Sequence, residues 1–236
     1  MSTLSFAKYE GAGNDFILID DRDGSFAADV QKLCHRKFGI GADGVILFQK
    51  DFRMRIFNSD GTEAESCGNG LRCLGQFIRD LGIPGEKHQI KIHDRAVEIS
   101  YVEGKIAVDM GQPRNLKLHL GPVHFVDTGV PHVVYFGEGI EELGPVFRHQ
   151  FKANANFAVL QPDGSIKVRT FERGVEGETL ACGTGACAVA YIASKLYGLQ
   201  GPIQICFPGG NLEVTIKKTG LVMTGPAKKV FEGLLR

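Results

Sequence analysis

Arg53-Met54-Arg55-Ile56-Phe57-Asn58, a polar turn-rich stretch, and Cys67-Gly68-Asn69-Gly70 opening a helical repeat have a counterpart in the second half of the chain. There Ile166-Lys167-Val168-Arg169-Thr170-Phe171 runs through Glu172-Arg173-Gly174 to Cys182-Gly183-Thr184-Gly185, again followed by a helical pattern. In both places a period-two run, typical of a strand, gives way to a cysteine set among glycines. Phe57 precedes its cysteine by ten positions and Phe171 by eleven. One arrangement written twice predicts two domains of related design.

Outward from these stretches, Leu71, Leu74, Phe77, Ile78 and Leu81 recur at three- and four-residue steps and stop at Gly82 and Pro84, as an amphipathic helix does. Residues 186–196 are apolar almost all round, the pattern of a helix buried on every side. Short strands punctuated by glycine and proline are predicted at 16–19, 45–48, 90–92, 97–102, 105–110, 133–136, 158–160, 203–207, 212–217 and 221–224. The expected class is α+β, with strands wrapped around one central helix in each of two pseudo-symmetric domains. The pattern restarts at Gly111-Gln112-Pro113-Arg114, which puts the domains at 1–112 and 113–225. No long linker separates them, so the two Cys-Gly-x-Gly turns are expected to meet at an active-site cleft between the domains.

Gly39-Ile40-Gly41-Ala42-Asp43-Gly44 matches the dinucleotide fingerprint, but a helix-like segment, 31–38, precedes it and a strand, 45–48, follows. The fingerprint requires the reverse order, so these residues are read as a glycine-rich loop.

Lys+Arg and Asp+Glu both number 27, so no net field draws nucleic acid or anionic lipid. The first fifteen residues lack a basic segment followed by an apolar core, and no apolar run approaches the roughly 20 residues of a membrane span. A cytoplasmic protein is expected. Its six cysteines should then stay reduced. Zinc is disfavoured because five residues separate Cys67 from Cys73 and four separate Cys182 from Cys187, with glycines between.

Cys67 and Cys182 each stand at a helix N-terminus, where unpaired N–H groups and the helix dipole favour a thiolate. The neighbouring glycines let several N–H groups converge on one anionic oxygen. Two such turns suit a symmetric chemistry, with a carboxylate held between them and a thiol on each face of the adjacent carbon. One thiolate takes the α-proton, preorganised donors stabilise the enolate-like dianion, and the opposite thiol returns a proton. The stereocentre inverts without a cofactor. Cys34, Cys73, Cys187 and Cys206 are read as core fillers.

At these residues the sequence resembles the diaminopimelate epimerases, a pyridoxal-phosphate-independent family with wider kin among the proline racemases. The matching segments are Gly11-Ala12-Gly13-Asn14-Asp15-Phe16, Phe57-Asn58-Ser59-Asp60-Gly61, Cys67 to Cys73, Glu172-Arg173-Gly174 and Glu178 to Ala186. The resemblance implies interconversion of LL- and meso-diaminopimelate in the lysine and peptidoglycan precursor pathway, without cofactor or metal. It implies Cys67 and Cys182 as the acid–base pair, His132 and Glu172 in support, and substrate binding by Asn14, Asn58, Gly68, Asn69, Asn154, Glu172, Arg173, Gly183 and Thr184. It further implies strongly curved, mostly antiparallel sheets, a homodimer, and a C-terminal strand, 226–236, returning to the first domain.

Two positions depart from the family pattern. Val130 stands where an asparagine usually precedes the Pro-His pair, and Gly44 where a glutamine often follows Gly-Ile-Gly-x-Asp. Losing one polar contact to the distal end of the substrate costs about 1–3 kcal/mol. The alternative enzyme is therefore a racemase of a shorter amino acid such as glutamate; a non-catalytic amino-acid binding protein and a thiol redox switch are the readings from other classes.

Overall fold

The period-two runs form strands and the period-3.6 runs form helices, in two compact units. The structure, a computed structural model, describes residues 3–64 and 67–235. Unit 1 comprises residues 1–108 and 226–236, and unit 2 comprises 109–225.

In unit 1 the chain runs β1 (Leu4–Gly11), β2 (Asn14–Asp20), α1 (Val30–Cys34), β3 (Gly44–Gln49), β4 (Arg53–Asn58), α2 (Gly68–Asp80), β5 (Lys87–Ile92) and β6 (Arg95–Val102), and β7 (Lys105–Gly111) carries the chain from unit 1 into unit 2. Unit 2 continues with β8 (Arg114–Lys117), β9 (Val123–Asp127), β10 (Pro131–Phe136), α3 (Ile140–Phe151), β11 (Asn154–Leu160), β12 (Ile166–Glu172), β13 (Gly177–Thr179), α4 (Gly183–Tyr197), β14 (Pro202–Phe207), β15 (Gly210–Lys217) and β16 (Gly220–Gly225). The last strand, β17 (Lys228–Leu235), pairs antiparallel with β1, Leu4 opposite Leu235.

The ladders repeat. From β1 through β6 the joins are antiparallel, parallel, antiparallel, parallel, antiparallel. From β9 through β15, with β13 set aside as a short partner of β12, the same series recurs. Each unit wraps its sheet around one apolar helix. Leu71, Leu74 and Ile78 of α2 are at most 1% exposed, and α4 buries Ala186 to Ala190, Ile192 and Ala193. Burying one such Leu or Ile side chain contributes about 1.5–3 kcal/mol. The α+β class expected from the sequence is the class found.

Beside the central helix of each unit, the described residues form a second α-helix, α1 in unit 1 and α3 in unit 2. A parallel join needs a crossover, and α1 lies between the parallel strands β2 and β3 as α3 lies between β10 and β11. The helix expected at 31–38 is shorter: after Cys34 the backbone turns, and Phe38 is 82% exposed. Helix α3 is absent from the sequence reading because Gly144 and Pro145 interrupt it. Its apolar face, Ile140, Leu143, Phe147 and Phe151, nevertheless has helical spacing and packs against Val133, Ala155 and Phe157.

Candidate active site

Each of the two cysteines is the N-cap of its unit's central helix. Cys67 has extended backbone (φ −150°, ψ 115°), and its Sγ accepts the Gly70 N–H at 3.3 Å. Cys182 has the same geometry (φ −128°, ψ 113°) and accepts the Gly185 N–H at 3.4 Å. Sulfur occupies the place that a serine oxygen usually takes at this position, so the helix termini donate directly to it.

Around Cys67, unit 1 assembles a chain of polar groups. The thiol and the Asn69 amide both donate to Asn14 Oδ1, at 3.7 and 3.3 Å. Asn14 in turn donates to Asp43 Oδ2 at 2.7 Å. Arg36 links Asp43 to Asp15, holding the first at 2.6 Å and the second through two nitrogens at 2.8 and 3.0 Å. Lys8, buried in β1, reaches Asp15 at 2.7 Å and the Gly41 carbonyl. Burial alone would raise the Asp15 carboxyl, but hydrogen bonds from Arg36 and Lys8 outweigh it and hold the group down at about 2. A helix, shorter than expected, comes before the 39–44 loop and a strand, β3, follows it from Gly44, the order opposite to the dinucleotide fingerprint. What the loop contributes is Asp43, the anchor of Asn14, which sequence reasoning missed.

Gly44 has a steric cause. A Cβ there would stand 2.4 Å from the Phe57 carbonyl oxygen of the paired strand β4. A side chain at 44 therefore requires β3 and β4 to part. Gly44→Gln is expected to lower stability by about 1–3 kcal/mol, the cost of overpacking, measured as a lower urea midpoint. An unchanged midpoint would show that this chain accepts the glutamine.

Around Cys182, the Thr184 hydroxyl lies 3.4 Å from Sγ, and the Thr184 carbonyl accepts from Thr128 at 2.8 Å. Alternation along β10 and β11 puts His132, Asn154 and Asn156 together: His132 pairs with Asn154 across the parallel ladder, and Asn156 is two residues on. All three are buried. Asn154 Oδ1 accepts the Arg173 N–H at 2.8 Å, so the turn after β12 is pinned from below while the Arg173 side chain is exposed. Burial, reinforced by the positive charge of Arg173, pushes His132 down to about 3 against an opposing hydrogen bond from Asn156. The ring is neutral. Burial likewise raises the Glu172 carboxyl, partly offset by the Thr179 hydroxyl at 2.8 Å.

Asn14 and Asn69 thus gather at Cys67, Gly68 begins its helix, and Gly183 and Thr184 do the same at Cys182. Asn58 does not join its group: its amide donates to Thr62 within its own turn, at 3.0 Å. Val130 sits in the turn before β10, its carbonyl accepting from Thr128 N–H. Cys73 and Cys187 are fully buried, and burial pushes the Cys34 thiol up to about 11. Besides Asp43, the sequence reading missed Asp15, Thr128 and Asn156.

The family model described as "Diaminopimelate epimerase" matches residues 6–116 and 124–230. A diaminopimelate epimerase of Synechococcus sp. (strain JA-3-3Ab) is 41% identical over 282 aligned positions that cover 98% of each chain. Among solved structures, a phenazine biosynthesis protein of the PhzF family from Bacillus anthracis covers 100% of both chains with a TM-score of 0.80 at 15% identity. A hydroxyproline epimerase from Agrobacterium vitis covers 99% of this chain and 92% of its own, with a TM-score of 0.71 at 11% identity. These two likenesses are of fold.

Proposed function

The chain belongs to the diaminopimelate epimerase family, and from that premise we propose that Cys67 and Cys182 are its two acid–base groups. The protein is an isomerase that interconverts LL- and meso-diaminopimelate in lysine biosynthesis. The observation that carries the assignment is the duplicated N-cap, a sulfur accepting the third N–H of its helix at 3.3 Å in one unit and 3.4 Å in the other. That contact strengthens when the sulfur is anionic.

In the proposed cycle one thiolate removes the α-proton and becomes a thiol. The electron pair passes into the substrate carboxylate, where the helix N-termini and the Gly68 and Gly183 turns offer donors. The other thiol then protonates the opposite face and is left as the thiolate. Arg173 grips a carboxylate of the substrate, and Asn14, Asn69, Asn154 and Thr184 hold its ammonium groups and remaining oxygens, while Asn58 would join them only by giving up its contact with Thr62. Glu172, a carboxyl raised by burial, and His132, a neutral ring, support the proton transfers. Neither cofactor nor metal takes part in this scheme. Reduced thiols are its requirement, and a cytoplasmic setting meets it. No helix among the described residues is long and apolar enough to cross a membrane.

The test is to incubate the protein without added cofactor in heavy water with LL-diaminopimelate, meso-diaminopimelate, and the enantiomers of glutamate. Inversion of diaminopimelate with uptake of one α-deuterium is expected. Turnover of glutamate alone, or dependence on an added metal or pyridoxal phosphate, would overturn it.

The working form is proposed to be a homodimer. Among the described residues strand β17 is laddered to β1 alone, and its Val230, Phe231, Leu234 and Leu235 are 54%, 44%, 66% and 39% exposed. Such an apolar edge is what a partner strand or sheet covers. Leu234→Lys is expected to shift the species seen in sedimentation equilibrium from dimer to monomer. A wild-type monomer at micromolar concentration would refute the dimer.

A further inference from the structure

We propose that Asn156 is a positioning residue that fixes His132 as the tautomer protonated on Nε2, so that the ring presents a hydrogen-bond donor and has no basic nitrogen to offer the site. The orientation of the Asn156 amide is settled by its neighbours. Its nitrogen lies 3.0 Å from the Val133 carbonyl and 3.3 Å from the Asn154 carbonyl, while its oxygen accepts from the Thr170 hydroxyl at 2.9 Å. Turning the amide over would press its oxygen against two carbonyl oxygens, which no proton could bridge.

With the amide so placed, its NH₂ faces His132 Nδ1 at 3.1 Å. A nitrogen that meets a donor must offer its lone pair, so the ring proton of the neutral imidazole belongs on Nε2. Nε2 is buried and has no hydrogen-bond partner among the described residues. A buried donor left unpaired costs about 1–3 kcal/mol, so it is poised for an acceptor that arrives with the substrate. Asn156 is also tied to the cysteine turn: a Cβ on Gly185 would stand 2.5 Å from Asn156 Oδ1 and 3.3 Å from Cys182 Sγ.

The inference deepens the reading of His132 as a support for thiol chemistry and rests on it for its catalytic meaning. An Nε2–H donor stabilises an anionic sulfur or oxygen and does not deprotonate a thiol. The burden of taking a proton then stays with sulfur.

The experiment is nitrogen NMR of the full chain labelled with ¹⁵N-histidine, the His132 signals being assigned by their absence from His132→Gln. In the wild type, Nε2 is expected to carry the proton and Nδ1 to be bare at neutral pH. In Asn156→Asp the side chain only accepts, and the proton is expected to move to Nδ1, with kcat falling about tenfold or more, the loss of one hydrogen bond to a charged group. Protonated Nδ1 in the wild type, or bare Nδ1 in folded Asn156→Asp, would overturn the proposal. Should Asn156→Asp not fold, the wild-type spectrum decides alone. The tautomer is read without turnover, so its failure leaves the two-thiol reading standing. Loss of that reading through the cysteine variants would in turn leave the tautomer untouched.

Discussion

Cys182→Ser is expected to invert diaminopimelate about 10²–10⁴-fold more slowly than the wild type, and Cys67→Ser likewise, with neither losing stability. The two halves of this expectation have separate causes. Serine is among the best N-cap residues, so its oxygen takes over the contacts that Sγ makes with the Gly70 and Gly185 N–H groups. The fold should be as stable as before, or slightly more so. The hydroxyl, however, is far less acidic than a thiol of pKa about 8.5, and the helix dipole cannot make an alkoxide of it near neutral pH. A sharper outcome follows from having one thiol left. It can still take the α-proton of one isomer and return a deuteron to the same face, so each variant should exchange hydrogen with solvent from one isomer without inverting it. Unchanged inversion in both variants would end the two-base assignment.

Asp15→Ala is expected to cost about 3–5 kcal/mol, because it leaves Lys8, a buried cation, without its carboxylate. Arg36 is half exposed and will find water, so Lys8 carries most of the loss. The measurement is urea unfolding, read as a lower midpoint. A pH series tests the cause. The Asp15 carboxyl is depressed to about 2 in the folded chain, against about 3.9 unfolded. Its contribution is therefore fully present above about pH 4 and is lost as pH falls through 2. Asp15→Asn should flatten the stability curve in that acid window, and an unchanged slope would show that the carboxylate contributes nothing there. His132 acts over a different range. Its pKa is depressed to about 3, so the unfolded chain binds the proton first and stability falls as pH drops from about 6.5 toward 3.

Much of the fold was legible because the period changes where the structure changes. Arg53–Asn58 alternates and is a strand of the same bounds, and Leu71, Leu74 and Ile78 step by three and four along a helix. Strand β1 was hidden because Ala7, Lys8 and Tyr9 are buried in succession, which erases the alternation. Lys8 tolerates that burial through Asp15, a partner no local pattern reveals. Helix α3 was hidden by Gly144-Pro145, although the ring spacing of Phe147 and Phe151 was there to read. The cysteines stood out because glycine and helix onset flank them in the sequence itself. Asp43 and Asn156 did not, since each acts through a neighbour that only strand pairing supplies: Asp43 through Asn14, and Asn156 through His132.

The pairing of β1 with β17 also has a consequence for biosynthesis. Residues 109–225 form a contiguous unit, whereas the first 108 await a strand translated after all of them. At roughly 5–20 residues per second the ribosome takes on the order of ten seconds to traverse that interval. Throughout it β1 offers one unladdered edge, a template for any passing strand. A released chain truncated before residue 228 should accordingly present a finished second unit and an open first one, and should be a better chaperone client than the full-length protein. Joining the 228–235 segment ahead of β1 through a short turn would remove the delay, since Leu4 and Leu235 already face each other.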